Sequence, residues 1–181
     1  NDNWLTDPVN TWWGVTVKDN RVTGIDLKQN NLDGDISAIV QLEQLKSLNL
    51  SDNQLSGSIP ETTGNLVNLE YLNLRNNQLD GMIPSSIENL TDLVTLDLSG
   101  NGLFGSIPEE IGKLSNLLYL HLDSNELSGS IPKEINGLES LRQLYLQFNR
   151  LSESIPAAIG DLPNLTSLWL NTNRLSGSVP A

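Results

Sequence analysis

The sequence predicts an α/β solenoid, a right-handed superhelix with a parallel β-sheet on its concave side and short helical turns on its convex side. Three observations predict it. An asparagine returns every 24 residues at Asn53, Asn77, Asn101, Asn125, Asn149 and Asn173, with Asn30 standing 23 before the first. Each of those six lies in the frame Leu-x-Leu-x-x-Asn-x-Leu, from Leu48, Leu50, Asn53 and Leu55 to Leu168, Leu170, Asn173 and Leu175. An Ile-Pro or Val-Pro pair recurs at the same period, from Ile59-Pro60 to Val179-Pro180. A fixed period of this length means coils that cannot bury their own apolar face and must stack on one another. Residues 1–21 are expected to form a truncated N-terminal cap segment, and 22–181 seven repeats of about 24 residues, the last incomplete.

The elements of one unit follow in order from Leu69. Leu72 and Leu74 alternate with Tyr71, Asn73 and Arg75, which is strand periodicity with the leucines inward. Asn77 follows the strand, where its amide can bond the backbone groups that the turning chain leaves unpaired, each bond worth about 1 kcal/mol net. Leu79 re-enters the core, and Gly81 permits an unusual φ. Pro84 suits the first turn of a short helix, because its missing N–H would be unpaired there anyway. Ile87, Leu90 and Leu93 then give one or two helical turns facing the core. Seven such strands, about 4.8 Å apart, make a sheet on the order of 30 Å wide.

Composition bounds the function. A hydrophobic fraction of 38% with only 5% aromatics suits a leucine core. The net charge of −12 argues against nucleic acid as a partner, because phosphate neutralisation needs clustered Lys and Arg. No apolar run approaches a membrane span, so no membrane insertion is expected in this segment. Cysteine is absent, which excludes a disulfide framework and a thiolate metal site. No P-loop, Rossmann glycine pattern or zinc motif occurs, so no cofactor and no metal are expected. The opening at Asn1 and the stop at Ala181 read as a trimmed piece of something longer.

The run Leu45 to Pro60 reads Leu-x-x-Leu-x-Leu-x-x-Asn-x-Leu-Ser-Gly-Ser-Ile-Pro and closely resembles the plant-type leucine-rich repeat. The resemblance covers almost the whole chain. Asn3-Trp4-Leu5-Thr6-Asp7-Pro8, Trp12-Trp13-Gly14-Val15-Thr16 and Arg21-Val22-Thr23 are similar to the cap before such repeats, in which aromatic side chains cover the first coil. Plant members usually carry a cysteine pair there; the corresponding positions here are Val9 and Val17. A cysteine-less cap resembles secreted or surface members from bacteria and other microbes, with engineered replacement as the rival reading. Glu153 stands at the repeat's glycine position and puts the local turn in doubt. The resemblance implies recognition. Similar arrays form ectodomains of receptor-like kinases that bind peptides, steroids or co-receptors; others inhibit polygalacturonases, and one relative binds ice.

Packing sets the inward positions, so information about a partner lies in the outward ones. The residue between the two strand leucines reads Asp26, Asn49, Asn73, Asp97, His121, Tyr145, Trp169, drifting from small and polar to aromatic. The column before it reads Gly24, Ser47, Tyr71, Thr95, Tyr119, Gln143, Ser167. Tyr71, Tyr119, His121, Arg142, Tyr145, Phe148 and Trp169 are therefore the candidate ligand-binding residues on the concave face, with Asp123, Gln143 and Gln147 as a polar rim. Aromatics also fit pleated sheets for packing reasons alone, and the patch equally suits a contact between domains or copies. Trp169 is expected to cover part of the end of the core.

Other chemistry is weaker. His121 is the sole histidine, with Asp97, Ser99 and Asp123 nearby, but an open sheet does not exclude water, and an exposed histidine in a binding patch is expected rather than a catalytic residue. Glu61, Glu88, Glu109, Glu110, Glu134, Glu139 and Asp161 read as a solvated face on the helical-turn side. Three acceptor triplets for glycosylation begin at Asn49, Asn89 and Asn164, but the repeat itself favours Asn before Leu. Ice binding needs a regular lattice of short side chains, which the concave columns lack. The expected function is a non-catalytic, secreted or cell-surface recognition module that binds a protein, peptide or glycan on its concave face. The alternatives are a structural or adhesive segment that self-associates through its open C-terminal end, and an inhibitor of a cell-wall hydrolase.

Overall fold

The computed structural model describes Pro8 and residues 11–180. The cap residues Asn3–Asp7 and Val9 lie outside them. Eight strands form one sheet in the order β1 (Val15–Lys18), β2 (Arg21–Asp26), β4 (Ser47–Asn49), β6 (Tyr71–Asn73), β8 (Thr95–Asp97), β10 (Tyr119–His121), β12 (Gln143–Tyr145) and β14 (Ser167–Trp169). The seven from β2 to β14 run parallel, one per coil. The eighth, β1, pairs antiparallel with β2 and closes the N-terminal edge. That strand, with Val15 and Val17 half-buried, covers the first coil; Trp13 does not, since it is 77% exposed.

Register follows from the period. Leu48, Leu72, Leu96, Leu120 and Leu144 fall directly opposite one another on neighbouring strands and are almost fully buried. Each strand is only two to six residues long, because the chain must turn twice per coil to bring the next leucine inward. After each turn a second, shorter strand forms: β3 (Asp33–Gly34), β5 (Gln54–Ser58) and β7 (Gln78–Asp80) make one three-stranded sheet, and β9 (Phe104–Gly105), β11 (Glu126–Gly129) and β13 (Arg150–Leu151) another.

The recurring asparagine closes the bend between the two strands. Asn125 Nδ2 donates to Leu98 O of the preceding coil at 3.0 Å and to its own Leu122 O at 3.1 Å, while its Oδ1 accepts from Leu103 N at 3.0 Å. Asn53, Asn77, Asn101, Asn149 and Asn173 repeat this pattern. Buried backbone polar groups that would otherwise be orphaned are thus paired by a side chain from the next coil.

The helical turns on the opposite side are 3₁₀ turns, such as Ser85–Asn89 and Glu109–Lys113. Five residues are too few to nucleate an α-helix, so i→i+3 bonds close instead. The proline stands just before the turn rather than inside it. Pro84 is extended, at φ −69° and ψ 143°, and its carbonyl accepts the first bond, from Ile87 N at 3.2 Å. The turns stack tightly: a Cβ on Gly137 would strike the carbonyl oxygen of Gly112. At the glycine column Gly57, Gly81, Gly105 and Gly129 adopt φ of +75° to +80°. Glu153 keeps the same turn at φ +67°, a conformation that strains any residue with a Cβ.

Candidate functional site

The strand register sets Asp97, His121, Tyr145 and Trp169 side by side in one outward column. Their rings form a ladder. His121 stacks on Tyr145 with centroids 4.4 Å apart and planes 8° from parallel, and Tyr145 packs against Trp169 at 5.1 Å and 32°. Tyr119, in the neighbouring column, meets His121 at 6.4 Å. Trp169 remains 51% exposed and leans on Tyr145, on the face away from Leu168, so it does not cover the end of the core. Aromatic pairs in this range contribute roughly 0.5–1.5 kcal/mol beyond their burial.

The ladder is anchored at its polar end. Asp97 is buried, and Ser99 donates to its Oδ1 through Oγ at 2.6 Å and through the backbone N–H at 3.0 Å. The other carboxylate oxygen faces His121 Nδ1 at 3.8 Å, too long for a hydrogen bond, so that coupling is mainly electrostatic. On its far side His121 Nε2 lies 3.1 Å from Gln143 Oε1. Burial works against the charged form of both groups. The attraction between them, helped by Ser99 and Gln143, outweighs it and holds the Asp97 carboxyl below its usual range and the His121 imidazole above. His121 is thus half-buried and clamped rather than exposed. No nucleophile–base pair results, because the Ser99 hydroxyl is spent on Asp97 while Nε2 is held by Gln143.

The remaining candidates separate. Tyr71 lies in the column of Tyr119, but Thr95 stands between them, about 10 Å of sheet; its hydroxyl accepts from Asn73 Nδ2 at 3.0 Å. Arg142 is not on the concave face. It precedes β12 in phase with the inward Leu144, and backbone bonds to Leu118 and Thr166 place it in a flanking column with Lys46, Glu70 and Val94. Gln147 is not a rim residue either: it is 5% exposed and its Oε1 has no hydrogen-bond partner. Phe148 is exposed and makes no ring contact with the ladder among the described residues. It adopts φ +56°, in a column whose other left-handed members are Gln29, Asp52, Asn76, Gly100, Ser124 and Thr172. Glycine and short polar residues adopt that conformation most readily, and Phe148 is the one aromatic in the column. Comparing residue types down that column would have exposed Phe148 as an outlier from sequence alone.

Elsewhere the surface is plainer. Glu61, Glu88, Glu109, Glu110, Glu134 and Asp161 lie in the 3₁₀ turns, with Glu139 just beyond one of them. A long shallow furrow runs beside the turns past Pro60, Pro84, Pro108 and Pro132. It is the groove that stacking leaves at every Ile-Pro position, and it is remote from the ladder in the sequence of each coil. The serine positions along the second strands are interrupted by exposed Asp80, Met82 and Phe104. Among the described residues no cluster of three or more His, Asp or Glu side chains is placed to hold a metal ion. Among the described residues no helix is long and apolar enough to cross a membrane.

The repeat frame is shared with known proteins. The family described as a leucine-rich repeat region matches residues 30–179. Protein MALE DISCOVERER 2 of Arabidopsis thaliana is 43% identical over 71 residues, covering 37% of this chain and 10% of that protein. The chain spans about a tenth of the length of the curated relatives it matches. The solved plant peptide hormone receptor RGFR1, in complex with RGF2, superposes with a TM-score of 0.82 at 38% identity, over 84% of this chain and 24% of the receptor. A plant ice-binding protein superposes with a TM-score of 0.89 at 32% identity, over 98% of this chain and 59% of that one. With the asparagine ladder, the one-strand-per-coil sheet and a family match over 30–179, the chain belongs to the leucine-rich repeat proteins, of the plant type.

Proposed function

We propose that this chain is a non-catalytic, extracellular recognition module that binds a protein or peptide segment on its concave face, through Tyr119, His121, Tyr145 and Trp169. The observation that carries the reading is the ladder itself: three rings in contact on adjacent strands, ending in a half-exposed Trp169. Rigid, amphipathic rings that lose little entropy on binding are the usual anchors of an interface. Phe148 supports it, because its ring stays exposed on a backbone conformation that costs an aromatic residue energy. The superposition on a receptor of a peptide hormone supports the same class of ligand.

The test is selection of binders from a random peptide display library against the whole chain, followed by titration of the selected peptides. Against Tyr145→Ala/Trp169→Ala, with circular dichroism confirming the fold, affinity is expected to fall by roughly thirtyfold or more, as for the loss of a central hot spot. Undiminished binding would sink the concave-face reading. A glycan array run in parallel distinguishes a carbohydrate ligand, which the same rings would also stack upon.

A further inference from the structure

The acceptor triplets for N-linked sugar at Asn49, Asn89 and Asn164 are not equivalent in the structure. The repeat accounts for two of them. Asn164 belongs to a column with Asn68 and Asn116, each of which donates through Nδ2 to a carbonyl of the preceding coil. The acceptors are Glu43 O at 3.2 Å for Asn68, Thr91 O at 2.9 Å for Asn116 and Glu139 O at 2.9 Å for Asn164. Asn49 lies on the concave strand β4, where its Oδ1 accepts from Ser51 N at 3.2 Å and from Ser51 Oγ at 2.9 Å. Asn73 and Asp97 accept the same backbone bond in the next two coils. Both asparagines therefore have a structural task within the repeat.

Asn89 has none. It is the last residue of the turn Ser85–Asn89 and is exposed, and its amide makes no hydrogen bond among the described residues. The same position in other coils holds Asn65, Lys113, Gly137 and Asp161, which share no chemistry that the turn requires. Asn65 is followed two residues on by Val67, so Asn89 is the member of this column that completes the triplet. The triplet is also well presented. Leu90 is fully buried and anchors it, the Thr91 carbonyl is held by Asn116 Nδ2, and the Thr91 side chain is exposed.

We propose that Asn89 is a modification site that carries an N-linked oligosaccharide on the helical-turn side of the array. The inference rests on the extracellular reading above. In the transfer a bond forms between Asn89 Nδ2 and the anomeric carbon of the sugar. The bond from that carbon to its lipid pyrophosphate carrier breaks, and Nδ2 gives up one proton. At Asn164 the sugar would crowd the Glu139 carbonyl to which Nδ2 bonds. At Asn49 it would lie across the concave sheet, with Asp26 and Asn73 on strands about 4.8 Å to either side. At Asn89 it meets solvent, and a bulky, hydrated glycan there leaves the aromatic ladder on the opposite side open to a ligand.

The test is secretion of the whole chain from a eukaryotic cell behind a cleavable signal peptide. Enzymatic release of the sugar in heavy-oxygen water converts each modified asparagine to labelled aspartate, which peptide mass spectrometry then locates. The label is expected at Asn89 in most molecules and at Asn49 and Asn164 in few. Asn89→Gln and Thr91→Ala should each abolish the label at this site, the second with the asparagine still in place. Both positions are exposed, and thermal unfolding confirms that the variants fold. The peptides selected by display should bind the sugared and the stripped chain equally. An unmodified Asn89 in the secreted, folded chain, or equal label at all three asparagines, would overturn the site and leave the recognition reading intact. Peptide binding that changes when the sugar is removed would overturn its placement away from the ligand. A library that yields no peptide would remove the recognition reading alone, since the label still decides for or against Asn89.

Discussion

Replacing Asn125 by alanine probes what holds one coil to the next. The side chain is 9% exposed. Its loss removes the acceptor held by Leu103 N–H at 3.0 Å and one of two amide donors on each of Leu98 O and Leu122 O, which keep those of Asn101 and Asn149. A buried polar group left unpaired costs about 1–3 kcal/mol. The Leu103 N–H is the one group orphaned, so we expect a loss of about 2 kcal/mol. Urea unfolding followed by tryptophan fluorescence should show a midpoint lowered by about 1 M for a slope near 2 kcal/mol/M. Hydrogen exchange should show the Leu103 amide losing protection. Asn125→Asp should be worse than alanine at neutral pH, because it sets a buried charge against the carbonyl oxygens of Leu98 and Leu122. Its folded pKa would be raised, so stability should return as pH falls through that value. A loss below 1 kcal/mol, or an unchanged Leu103 amide, would refute the inter-coil role of the asparagine.

Glu153→Gly should raise stability by roughly 0.5–1 kcal/mol, since glycine relieves the φ of +67° but adds freedom to the unfolded chain; a lower melting temperature would contradict this. Phe148→Asn should stabilise by about 1 kcal/mol for the same reason while weakening ligand binding; gain or loss in both together would argue against a functional Phe148. His121 should titrate above 6.5 by NMR, and below its wild-type value in Asp97→Asn. Its contribution to stability is present below pH 6.5 and lost as pH rises through the folded value, whereas that of Asp97 is present above pH 3.8 and lost as pH falls through its own. Asp97→Asn should therefore flatten the decline in stability on the alkaline side. Thermal hysteresis should be near zero, because Asp80, Met82 and Phe104 break the serine lattice; a measurable value would reopen ice binding.

Most of the architecture could be read from the period, because a 24-residue repeat dictates which residues stand side by side. His121, Tyr145 and Trp169 were placed on neighbouring strands by counting, and their register agrees. What counting missed depends on direction and solvent. Arg142 has an outward-looking residue type, but two-residue alternation puts it in phase with Leu144 at the strand's edge. Gln147 looks like a rim residue by polarity, yet the bend after the strand buries it. Trp13 resembles a cap aromatic but stays exposed, because a strand that repeat counting does not foresee, β1, covers the first coil. The Asp97–His121 anchor is a matter of distances, which no residue pattern encodes.

From Asn77 onward the asparagine bonds reach back 22 and 27 residues along the chain. A single inserted residue inside a coil would throw both bonds out of step, whereas a whole unit could be added or removed with each bond reformed to a new neighbour. Length in this scaffold is therefore quantised. The array can be extended like a ruler, one graduation at a time, while the outward residue of any coil is rewritten independently. New specificity is then a change of lettering on a ruler whose graduations stay where they are.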